Sequence, residues 1–157
     1  MKKIVYSLLI VFGIVLLTGC GKEVDFSKLN HVTCTKTEAK TNDTTITTMT
    51  FSYDKEERLS NFKVESDTTY NQAMSEKATK LTAKTMELIS KTLGVAFNSE
   101  VSENRFYFSF SGNIKALKLL MEKLDKNYKD ELVTGDTKSE VINDLTKEGY
   151  TCEDFKK

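Results

Sequence analysis

Three cysteines, one histidine and two Ser-x-x-Lys pairs are the residues of this chain best placed to do chemistry. The pairs are Ser52 with Lys55 and Ser60 with Lys63, but 12 Ser and 21 Lys among 157 residues already produce one or two such pairs by chance. Both also fall in strand or turn, whereas the nucleophile of that motif belongs at a helix start. His31 stands far from any Ser-centred elbow, since G-x-S-x-G is absent, and its separation of three from Cys34 puts the two on opposite faces of a strand. Glu100, Glu103, Asp130, Glu131 and Asp136 are scattered through turns, without the spacing of a calcium loop. No enzyme, metal site or cofactor is expected from these residues. The cysteines remain, and they divide into one near the start of the chain and two near the ends of its body.

Cys20 follows a patterned segment. Met1, Lys2 and Lys3 form a positive start, and Ile4 to Leu17 is an apolar run broken only by Tyr6, Ser7 and Gly13. Spanning a bilayer takes about 20 apolar residues, so a run of this length behind lysines reads as the core of a secretory signal. Leu17-Thr18-Gly19-Cys20 then resembles the bacterial lipobox: a branched apolar residue, two small residues and the cysteine that receives diacylglycerol. Small Thr18 and Gly19 let a membrane protease reach the bond between Gly19 and Cys20. The competing reading is an uncleaved anchor or an ordinary secretory signal with an incidental cysteine. Lipidation at Cys20 is the expectation, with residues 1–19 removed and the product held at the outer face of the plasma membrane. The Lys-heavy composition leans towards a Gram-positive cell; in a Gram-negative one, Gly21 would suit sorting to the outer membrane.

Loss of that segment changes the charge. The whole chain has 23 basic and 23 acidic side chains, and removing Lys2 and Lys3 leaves the product slightly acidic. Nucleic acid is therefore not an expected partner, because phosphate neutralisation needs a concentrated positive surface. Only Arg58 and Arg105 offer a guanidinium fork, which leaves little for bidentate recognition of phosphate or carboxylate.

Residues 20–30 read as a lipid-anchored tether and 31–157 as one α+β domain. His31 to Lys40 and Thr44 to Tyr53 are Thr-rich strands joined at Thr41-Asn42-Asp43, with Val32 and Cys34 meeting Met49, Phe51 and Tyr53. Ile46 breaks that parity and marks a candidate bulge. A third strand runs from Arg58 to Ser66, with Phe62 and Val64 inward. Thr69-Tyr70-Asn71-Gln72 has capping-box spacing, and a helix to Leu93 would carry Met74, Ala78, Leu81, Leu88 and Ile89 as its apolar stripe, ending at Gly94. Val95 to Val101 and Arg105 to Ser111 form a second hairpin with Phe106, Phe108 and Phe110 on one face. Asn113 caps a helix bearing Leu117, Leu120 and Leu124; Asn127 to Asp136 is a loop. Thr137-Lys138-Ser139-Glu140 opens a last helix that buries Val141, Ile142 and Leu145 and stops at Gly149. The expected architecture is a mostly antiparallel sheet of about five strands in the order βββαββαα, with helices on one face and a solvated face rich in Thr33, Thr35, Thr37, Thr45, Thr47 and Thr48 opposite.

Cys34 and Cys152 lie near the two ends of that domain. In an exported protein they either form a disulfide, worth about 4–5 kcal/mol in the chain-entropy model, or pack as two small apolar thiols. Spacing does not choose between these. Val32-Thr33-Cys34-Thr35-Lys36-Thr37-Glu38, the hairpin after it and the ending Glu148-Gly149-Tyr150-Thr151-Cys152, together with the lipobox, resemble the small bacterial lipoproteins grouped around YehR. The resemblance implies a lipid-anchored α+β domain at the cell envelope and no reaction. The functional expectation is thus a non-enzymatic binding or scaffolding domain for an envelope protein or glycan. Its alternative is a carrier holding an apolar ligand against Phe108, Phe110, Leu117 and Leu120.

Overall fold

The computed structural model describes residues 23–72, 80, 81, 83–85, 87, 88, 94–116 and 137–157. The apolar signal, Gly19, Cys20, the residues Met74, Ala78 and Ile89, and the stretch from Leu117 to Asp136 lie outside the described residues. Six strands make one antiparallel sheet: β1 (His31–Ala39), β2 (Asp43–Tyr53), β3 (Leu59–Tyr70), β4 (Ala96–Val101), β5 (Arg105–Asn113) and β6 (Thr151–Phe155). Their spatial order is β4-β5-β3-β2-β1-β6. A helix, α1 (Lys138–Lys147), precedes β6, and a single 3-10 turn, Phe26–Lys28, precedes β1. A sheet with few helices is compatible with the α+β expectation.

Alternation along β1 and β2 sets the register. Val32 pairs with Phe51 and Cys34 with Met49, so both strands turn their apolar residues to one face. Phe62 and Val64 continue that face opposite Phe51 and Met49, and Gly112 and Phe110 extend it on β5. On this inner face Val32, Cys34, Phe51, Phe62, Val95 and Ile114 pack with Val141 and Leu145 of α1 and with Tyr150. A Cβ at Gly112 would meet Val95 Cγ1 at 3.0 Å, which is why the strand carries glycine opposite Phe62.

Local chemistry defines the ends. Thr137 Oγ1 accepts from the Glu140 backbone, and the Glu140 side chain accepts from Thr137 N–H at 2.8 Å, completing the capping box. At the other end Gly149 takes φ +89°, Gly149 N–H donates to Thr146 and Tyr150 N–H to Leu145, a Schellman arrangement that sets Tyr150 against the core. Asn113 Oδ1 accepts from Lys115 N–H at 2.8 Å, over the helical residues 114–116.

Several expectations require correction. The sheet has six strands rather than about five, because the tail after Gly149 pairs with β1. Thr69 and Tyr70 belong to β3, so Thr69 pairs with Thr44 and Arg105 instead of capping a helix. Residues 80 and 81 are helical, as are 83–85, 87 and 88, yet Leu81 and Leu88 are 66% and 56% exposed and do not form a buried stripe. Ile46 stays in register on the outer face. The irregularity falls between Ser52 and Tyr53, where Ser60 is the extra residue of β3 and Ser52 Oγ shares a 2.8 Å hydrogen bond with Ser60 Oγ.

Candidate functional site

The outer face of the sheet is more ordered than a solvated surface. Thr33 shares a hydrogen bond with Thr50 at 3.2 Å, and Thr35 with Thr48 at 3.3 Å, because these pairs stand directly opposite one another in the β1–β2 register. Thr45 and Thr47 have the other parity and leave this face, with Thr45 bonded to Thr68. Next to the threonines, Lys63 pairs with Glu65 at 3.0 Å, and Tyr107 Oη donates to Glu65 at 2.7 Å. Burial, reinforced by that carboxylate, pushes the Tyr107 phenol up. Arg105 clasps Asp67 with two bonds of 2.8 Å, which raises the guanidinium pKa further. Thr50, Ser52, Ser109 and Ser111 on the same face are buried.

The segment before β1 lies against this face. Asp25 caps the 3-10 turn by accepting from Ser27 N–H, and its carboxyl pKa is lowered by Ser27 and by Lys28. Phe26 meets the His31 ring edge-on at 6.2 Å, and His31 stacks on Phe155 at 4.9 Å. His31 Nδ1 donates to the Leu29 carbonyl at 2.8 Å, and Lys157 N–H donates to Asn30 Oδ1 at 2.7 Å. Residues 23–26, with His31, Thr33, Thr50, Lys63 and Glu65, line an open cleft of about 490 Å³. Its hydroxyls, carboxylates and one ammonium can exchange hydrogen bonds with a polar ligand, and the exposed part of Phe26 offers one apolar contact. This cleft is on the face opposite the one expected for an apolar ligand. Phe108 and Phe110 lie on the inner side, in contact with each other at 5.5 Å between ring centroids, and Leu117 and Leu120 are outside the described residues.

A second polar cluster was not anticipated. Lys138, read only as part of a capping box, is buried. Its Nζ lies 2.9 Å from Glu57 Oε1 and 3.0 Å from Asp154 Oδ2, and 4.8 Å from the Tyr53 ring centroid. Tyr53 Oη donates to the other Asp154 oxygen at 2.5 Å. Glu57 and Asp154 hold the Lys138 pKa above the usual amine range. The Tyr53 hydroxyl, followed by Lys138, holds Asp154 below the usual carboxylate range, and burial followed by Asp154 raises Tyr53. Every charge in this group has a partner, which fits a structural clamp. A signal did exist: a lysine at the first position of a helix opposes the dipole and needs a compensating anion nearby.

Cys34 and Cys152 face one another across β1 and β6 and are joined by a disulfide. His31 points to the outer face and Cys34 to the inner one, as their spacing requires. Among the described residues no group of three or more His, Cys, Asp or Glu could hold a metal ion, and no helix is long and apolar enough to cross a membrane. Comparison with family models, curated proteins and solved structures finds no match for the chain.

Proposed function

We propose that the chain is a lipid-anchored lipoprotein of the bacterial envelope, of the YehR-like kind, whose domain binds or scaffolds an envelope protein or glycan without catalysing a reaction. The observation that carries this reading is the position of Leu17-Thr18-Gly19-Cys20 directly after a Lys-flanked apolar run too short to span a bilayer. The disulfide supports it, since such bonds persist on the oxidising side of a membrane. Two or more acyl chains on Cys20 give stable attachment where a single one gives only reversible binding. The cleft beside Thr33 and Thr50 is the surface on which a polar partner would act. Growth with a clickable fatty acid tests the anchor: the protein takes up label, and Cys20→Ala abolishes it. Undiminished labelling of the variant overturns the reading.

A further inference from the structure

Only three residue steps separate Cys20 from Glu23, a reach of about 10 Å at full extension. Glu23 borders the outer-face cleft together with Asp25 and Phe26, so an anchor at Cys20 brings this face, and not the helix side, up to the lipid. What the face presents there is an aromatic cluster, Phe26 edge-on to His31 and His31 stacked on Phe155, in which Phe155 is 43% exposed at the end of the edge strand β6. Lys28, with 81% of its side chain exposed, follows Phe26 by two residues, and the exposed Lys157, whose N–H donates to Asn30 Oδ1, follows Phe155 by two. The acidic members are Glu23, Glu153 and Asp25, the last paired with Lys28 at 3.0 Å.

Isolated exposed apolar residues are ordinary on protein surfaces; this one is set apart by its place near the proposed anchor, with Lys28 and Lys157 close to it in the chain. Aromatic bodies settle at the headgroup level of a bilayer, and lysine stems cross apolar surface while the ammonium reaches phosphate. We propose that the Phe26–His31–Phe155 patch is the surface on which the domain rests against the bilayer, with Phe155 seated among the headgroups and Lys28 and Lys157 at the phosphate level. The inference rests on lipidation at Cys20. Because the acyl chains already secure attachment, the patch sets orientation and not affinity: it holds the Phe155 end of the sheet at the lipid and α1 away from it, and leaves the cleft beside Thr33 and Thr50 open to a partner at the membrane surface.

The chain contains no Trp and six Tyr, so Phe155→Trp, Phe26→Trp and Asn143→Trp each introduce a single tryptophan that can be excited apart from tyrosine at the long-wavelength edge of its absorption, the last on the exposed side of α1. Each full-length variant, processed and lipidated in its host, is placed in vesicles of phosphatidylethanolamine and phosphatidylglycerol, with and without bromine on the acyl chains. Interfacial side chains reach about 5–10 Å into the headgroup–acyl boundary, so emission from the reporter at 155 should shift to the blue and fall at least about twofold in brominated vesicles. The reporter at 26 should follow it, and the reporter at 143 should not respond. If the protein floats with the vesicles and neither 155 nor 26 is quenched more than 143, the orientation is wrong while the anchor stands. If the protein does not float, the anchor itself is refuted, and the orientation with it.

Discussion

Lys138 shows how one side chain can join parts of the chain that are distant in sequence. Its ammonium meets Glu57 from the β2–β3 turn and Asp154 from β6, while its backbone N–H donates to Glu57 O at 2.8 Å. Removing the cation leaves the Glu57 and Asp154 carboxylates with only the Tyr53 hydroxyl on Asp154 to offset them, so Lys138→Ala should cost about 2 kcal/mol, read as a lower urea midpoint. The same cluster sets a pH profile. Lys138 is raised, so its contribution is complete below the ordinary lysine range, about pH 10.4, and is lost as pH climbs through the folded value. Asp154 is lowered, so its contribution is complete above about pH 4 and is lost as pH falls through the folded value. The urea midpoint should therefore fall on both sides of a neutral plateau, and Asp154→Asn should make the acid limb shallower. An unchanged acid limb in that variant would remove Asp154 from the explanation.

Elements whose two faces differ in polarity were the ones legible in the chain. Val32 and Cys34 against Met49 and Phe51 specify both the hairpin and its register, because a slip of one residue would turn all four to solvent. The box at Thr137 and Glu140, and Gly149 at φ +89°, bound α1 where their types predict. Thr137→Ala should lower stability by about 1 kcal/mol, and Gly149→Ala by about 1 kcal/mol through an unfavourable positive φ; thermal melts of each check this. Legibility ended where both faces are polar. Asp67 to Tyr70 extends β3 beyond Ser66 through pairing with Asp43 to Ile46 and Arg105 to Tyr107, partners that a local pattern cannot reveal. For the same reason β6, with Glu153, Asp154 and Phe155, carried no strand alternation: β1 recruits it across the sheet. The cleft was legible only in part. Thr33 and Thr35 stood out as a hydroxyl row, whereas the folding back of Val24 to Leu29 depends on His31 and Phe155, residues at opposite ends of the domain.

At the level of the whole molecule, one covalent tie and one expected anchor decide behaviour. The Cys34–Cys152 bond closes a separation of 118 residues and attaches β6, and with it Asp154 and Phe155, to β1. In the chain-entropy model its loss costs about 4–5 kcal/mol, so Cys152→Ser should melt well below the oxidised parent and lose all dependence on reductant. Equal melting temperatures would mean that the clamp at Lys138 suffices alone. The proposed anchor bears on where the domain would work: lipid on Cys20 would hold the cleft within a short reach of the membrane, for partners that share that plane. The central claim is tested most directly by intact-mass and peptide mass spectrometry of the protein extracted from membranes. The first residue should be Cys20, its thiol carrying diacylglycerol; a chain that begins elsewhere, or a Cys20 with a free thiol, would contradict the account.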